Sequence, residues 1–171
     1  MNLLSLAAIN SSSPYCVKQR NDRPNDFYFR SDFGVDYEIS IRPDNTVMPS
    51  GTYMLDVTNR GQGPTPGDPK FRLTLLAIIE EFFKQNNEVL LYITETGDGR
   101  QKLRNRLFIS WFNTYNHRDL YLIRIAEGKM EGQDNFMAII VRRDNPRLEQ
   151  AIDEFEEITS LLFDTSIQVM F

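Results

Sequence analysis

Apolar residues recur along this chain with two different periods, and the changes of period lay out its elements. Residues 27–30 and 35–42 alternate apolar and polar positions. Tyr37, Ile39 and Ile41 fall on one face, and Asp36, Glu38, Ser40 and Arg42 on the other. Period two is the strand pattern, and the Gly-containing connection Ser31-Asp32-Phe33-Gly34 makes the pair a hairpin. Residues 52–58, after the turn at Gly51, read as a third strand. Residues 59–68, N-R-G-Q-G-P-T-P-G-D, are the strongest break in the chain and close this all-strand half.

The period then lengthens. Asp68-Pro69 is a capping residue followed by proline at the first helical position. Phe71, Leu75, Ile78, Ile79 and Phe82 recur at helical spacing behind it. This broad apolar face predicts a helix that covers the sheet. Residues 88–95, apolar nearly throughout, predict a central strand buried on both faces. Residues 98–112, D-G-R-Q-K-L-R-N-R-L-F-I-S-W-F, read as a Gly turn and a second amphipathic helix. Residues 120–126 and 136–142 are two more strands, with 127–134 expected as their connection. Asn145-Pro146 repeats the cap-then-proline start of a closing helix with the stripe Leu148, Ile152, Phe155, Thr159 and Leu162. Residues 166–171 are expected as a short edge strand. The order β-β-β-α-β-α-β-β-α predicts an α+β fold, a single mostly antiparallel sheet with packed helices.

Before this pattern begins, residues 1–26 are mixed and contain two breaker clusters, 11–14 and 21–26. They are expected as a loosely attached or partly disordered arm, with residues 27–171 as one α+β domain. The length of 171 residues suits one domain with a sizeable core. Apolar content of 41% places the chain among folded proteins.

Charge and cysteine content narrow the classes. The net charge of -5 argues against a nucleic-acid partner. Cys16 stands alone, so an internal disulfide is excluded. The apolar start lacks a basic segment and a small-residue cleavage site, and no run reaches the roughly 18 apolar residues of a membrane span. The expectation is a cytoplasmic protein with no membrane contact.

His117 is the only histidine, so the usual zinc ligand sets are missing, and no metal or cofactor is expected. A Ser-His-Asp arrangement would rest on His117 alone, in the loop-like context N-T-Y-N-H-R-D. No phosphate-binding glycine motif is present. The reading leans away from an enzyme, and no catalytic residue is assigned.

The 98–112 stretch carries the one unusual spacing. At about 100° per residue, Leu103, Leu107, Phe108, Trp111, Phe112 and Tyr115 share an apolar arc. Arg104 falls near its middle with Arg100 beside it, whereas Lys102 and Arg106 point to solvent. A guanidinium at the edge of a core needs a partner, because an unpaired buried charge costs several kcal/mol. One reading pairs Arg104 internally, with Glu95, Asp98 or Glu38. The other makes Asp98, Gly99, Arg100 and Arg104 an anion-binding site at the helix start, although Asp98 as a cap opposes it. A third reading joins Arg100, Lys102, Arg104, Asn105, Arg106, Arg142 and Arg143 into a stripe for nucleic acid. The closing helix weighs against that. It carries six acidic residues and no basic one from 148 to 164, and is expected to lie near the basic helix and neutralise it, within the chain or across a dimer.

The same stretch, preceded by V-L-L-Y-I at 89–93, resembles the signature of a small family of uncharacterised bacterial proteins, a domain of unknown function. The resemblance takes in F-Y-F and Y-E-I-S-I in the 27–41 hairpin and R-R-D-N-P at 142–146, so it spans roughly residues 27–162. It implies a bacterial, cytoplasmic, single-domain protein and no established activity, substrate or cofactor.

The leading expectation is a non-enzymatic binding or interaction module. Leu3, Leu4 and Leu6 and the tail residues Val169, Met170 and Phe171 are the candidate contacts for a protein partner or a homodimer. The alternatives are a phosphorylated or nucleotide ligand held by Arg100 and Arg104, and weak nucleic-acid binding.

Overall fold

The structure is a computed structural model that describes residues 1–60, 67–94, 101–163 and 166–170. The fold is α+β, as the periods predict. Among the described residues four α-helices, α1 (Leu6–Ser12), α2 (Pro69–Gln85), α3 (Gln101–Asn113) and α4 (Leu148–Leu162), accompany eight strands. These are β1 (Lys18–Gln19), β2 (Asp26–Arg30), β3 (Asp36–Pro43), β4 (Thr52–Asn59), β5 (Val89–Ile93), β6 (Tyr121–Met130), β7 (Gln133–Arg142) and β8 (Ser166–Met170). The chain forms two compact units, Met1–Arg42 with Leu55–Asn87, and Pro43–Met54 with Glu88–Phe171. In the first unit the strands hydrogen-bond in the order β1-β2-β3, and in the second in the order β5-β7-β6-β8. Among the described residues no helix is long and apolar enough to cross a membrane.

In the first unit, β1, β2 and β3 are antiparallel, with Tyr28 facing Lys18 on one side and Glu38 on the other. The alternation in β2 and β3 sends Phe27, Phe29, Tyr37, Ile39 and Ile41 to one face, where all are buried. Helix α2 packs against that face. Phe71 lies 4.4 Å from Tyr37, ring centre to ring centre, and Tyr15 and Phe29 stack at 5.6 Å. The predicted cap is present: the Asp68 carboxylate accepts N–H bonds from Lys70 and Phe71.

The first 26 residues are not a loose arm. Leu4, Ile9, Tyr15 and Val17 are buried, and the Ser5 amide donates to the buried carboxylate of Glu81 in α2 at 2.9 Å. The breaker clusters bound a short helix and a short strand instead of marking disorder, because the apolar residues between them find α2 far along the sequence. Leu4 is therefore part of this core, whereas Leu3 is exposed.

The second unit has three layers. In register, Leu91 and Ile93 of β5 neighbour Ile139 and Met137 of β7, which in turn neighbour Arg124 and Ala126 of β6. Most of this face packs with Ala151 and Phe155 of α4 in one buried cluster. The opposite face carries Leu90, Tyr92, Phe136, Ala138 and Ile140 and meets α3, where Phe108 stacks on Tyr92 at 4.9 Å. The sheet thus separates basic α3 from acidic α4, so the expected neutralisation of one helix by the other within the chain does not occur.

Two details differ from the periodic reading for physical reasons. Residues 127–134 are not a loop. Strands β6 and β7 run on to a two-residue turn at Glu131-Gly132, both with positive φ, 53° and 79°, which matches the twist of a tight hairpin. Gly128 lies within β6, and a Cβ there would stand 2.4 Å from Cβ of Phe163, which fills that space. Asn145 is not the cap residue itself: its side chain accepts from the Arg147 amide, and α4 starts two residues later than predicted, after Arg147.

Candidate functional site

Asp98, Gly99 and Arg100 of the expected anion site lie outside the described residues, as do Glu95 and most of the 59–68 loop. The side chains of Lys102, Leu103, Val169, Met170 and Phe171 are also outside them. Arg104 is half-buried at the end of the first turn of α3, and Arg106 is exposed as expected. The buried stripe of α3 is nevertheless rotated from the predicted one. It runs Asn105, Phe108 and Phe112, while Leu107 is exposed. Phe108 fixes the rotation by packing on Tyr92 and Phe136 of the sheet, which also meet each other edge-on.

That rotation buries a polar residue. Asn105 is 5% exposed, and its Nδ2 donates to Oε1 of Glu127, half-buried on β6 opposite Phe136. The carboxylate sets the amide orientation, because a carbonyl oxygen turned toward it would meet a like partial charge. Asn105 Oδ1 is then buried with no hydrogen-bond partner among the described residues. A helix wheel cannot flag this pair, since Asn105 gains its meaning only from Glu127 on a later strand.

A second constellation lies on the solvent face of β2 and β3 in the first unit. Tyr28 stands in its middle, partly exposed. Glu38, directly across from Tyr28, receives Arg20 at 3.3 Å and also Arg60. Asp26, two residues before Tyr28 on the same face, receives Arg42 at 2.9 Å and Arg23 at 3.8 Å. The carboxylates lie beneath, 14% and 2% exposed, and the guanidiniums lie outside, at 39–60%. Arg20 and Arg60 share the one carboxylate of Glu38, whereas Arg23 also lies 3.8 Å from Asp22, so the Asp26 cluster sets two cations against two anions. Burial pushes the Glu38 carboxyl up, but the bonds and charges of Arg20 and Arg60 outweigh it and hold it below the usual range. The Arg20 guanidinium also lies over the Tyr28 ring, 5.7 Å from its centre, and its Nε is buried with no hydrogen-bond partner among the described residues. Alternation alone gives the polar face, but the pairing of arginines from separate strands and loops is a tertiary result.

Among the described residues no group of three or more His, Cys, Asp or Glu side chains converges as a metal site would. Cys16 is exposed and free.

Residues 67–157, just over half the chain, match a family described as a family of unknown function, DUF6169. The chain belongs to this family. The match runs from the start of α2 into α4, so it contains Arg104, Asn105 and Glu127. It leaves out the 27–41 hairpin that the sequence resemblance includes, and with it Tyr28 and Glu38. No curated protein and no solved structure matches the chain.

Proposed function

We propose that the chain is a binding module that engages an acidic protein segment through the solvent face of β2 and β3. The observation that carries this reading is the pair of buried carboxylates flanking Tyr28, each under two outward arginines, with the Glu38 cluster holding the surplus cation. A buried carboxylate under two outward guanidiniums preorganises both forks, so less rotamer entropy is lost when an anion arrives. Asp26 and Glu38 are diagonal neighbours across two strands, a spacing of about 7–8 Å. That spacing suits carboxylates on an extended or helical peptide. The net charge of -5 disfavours a long uniform polyanion, which feels the whole protein, more than a short acidic segment, which feels the local face.

Fluorescence anisotropy with a labelled oligoglutamate peptide tests the reading. Binding is expected at low salt, weakening as ionic strength rises, and it is lost in R20A/R60A. A protein that binds no such peptide at low salt, or whose double variant binds unchanged, refutes it. Binding of single-stranded oligonucleotide alone would replace it with the nucleic-acid reading.

The phosphorylated-ligand reading is favoured by the half-buried position of Arg104 near the start of α3. It is tested by a thermal-shift screen of nucleotides, coenzyme A and inorganic phosphate, with any shift expected to vanish in R104A.

A further inference from the structure

We propose that Asn105 and Glu127 form a site for a cationic hydrogen-bond donor, a primary ammonium group. The inference concerns the α3 side of the second unit and is independent of the arginine-rich face. It starts from a donor–acceptor count. The Asn105 side chain has two N–H donors and one carbonyl acceptor, and Glu127 has only acceptors. Their mutual bond uses one amide hydrogen and one carboxylate oxygen. Asn105 Oδ1, nine-tenths buried with its residue and unpartnered among the described residues, is left over as an acceptor. The pair therefore offers acceptors and a negative charge, and calls for a donor that carries positive charge.

The surroundings favour an ammonium over water alone. Asn105 lies one turn before Phe108, which stacks on Tyr92 at 4.9 Å and meets Phe136 edge-on at 6.1 Å. Glu127 stands beside Phe136 across the β6–β7 ladder. Apolar rings next to a carboxylate favour an organic cation by burying its alkyl part. A primary ammonium presents three donors in a compact head and can reach Oδ1 and the carboxylate together. The site expected from sequence at the start of this helix was anionic in its preference. The side chains that the fold brings under α3 have the opposite preference.

Calorimetric titration of the intact protein with n-butylammonium chloride tests the proposal, with tetramethylammonium chloride as a probe that keeps the charge and lacks donors. The expected result is binding of n-butylammonium with a Kd of about 1 mM and no measurable binding of tetramethylammonium. Glu127→Gln keeps shape and removes charge, and should weaken n-butylammonium binding about ten- to a hundredfold. Its unchanged thermal unfolding midpoint would show that the fold is intact. Should that variant be too unstable, Asn105→Asp, which keeps an acceptor, should retain binding. Equal affinity for the two ammonium probes overturns the proposal, as does a Glu127→Gln protein that binds normally. A crystal structure in the presence of n-butylammonium with only water at Asn105 Oδ1 overturns it too.

Discussion

Asp44 is a single side chain on which a whole loop of the second unit hangs. Its carboxylate is 5% exposed and accepts the amides of Thr46 at 3.0 Å, Val47 at 3.2 Å and Met48 at 2.5 Å, and the Thr46 hydroxyl at 3.0 Å. Met48, fully buried, joins the cluster of Val89, Leu91, Ile139 and Phe155 under α4. Asp44→Ala would strand these donors. Thr46 is exposed and rehydrates, so its loss counts little. The amides of Val47 and Met48 remain to be satisfied, at about 1–3 kcal/mol each, and the expected cost is roughly 2–5 kcal/mol. Asp44→Asn keeps one acceptor oxygen and should cost about 1–3 kcal/mol.

The charge adds a pH signature. Burial raises the Asp44 carboxyl, but the bonds from Met48, Thr46 and Val47 outweigh it and leave it below the usual range. A carboxyl depressed in the native state releases its proton more readily folded than unfolded. Its contribution is therefore complete above the unfolded value of about 3.9 and disappears as pH falls through the lower native value. Urea unfolding followed by circular dichroism at neutral and acid pH measures both effects. The gap in stability between wild type and Asp44→Asn should close on acidification. A cost below about 1 kcal/mol for Asp44→Ala, or a gap that does not change with pH, would refute the reasoning.

Two further outcomes follow from packing. Gly128→Ala should destabilise by about 1–3 kcal/mol, because its Cβ would sit 2.4 Å and 2.8 Å from Cβ and Cγ of the buried Phe163. The companion change Phe163→Ala should rescue part of that loss in a double-mutant cycle by urea unfolding. Ile9→Ala should cost about 2–5 kcal/mol, since Ile9 is fully buried; a change near zero would restore the loosely attached arm.

What the sequence by itself determined is whatever depends on neighbours within a few residues. Asp68 capping α2, the split of β3 into an apolar and a polar face, and the burial of β5 on both faces all follow from local spacing. The tertiary structure decided the features that need a partner far along the chain. Residues 1–26 look like an arm because the surface that buries Ile9 belongs to α2, whose Glu81 lies 76 residues beyond Ser5. Gly128 looks like a turn because the side chain that forbids a larger residue there is Phe163, at the end of α4. Helix α3 carried enough apolar residues to permit more than one rotation. The choice fell to Phe108, packed on both Tyr92 and Phe136, and it placed Asn105 over Glu127. Periodicity fixes which kind of element forms, because backbone geometry is local. Which face is buried, and which polar groups are buried with it, depends on the surface it meets.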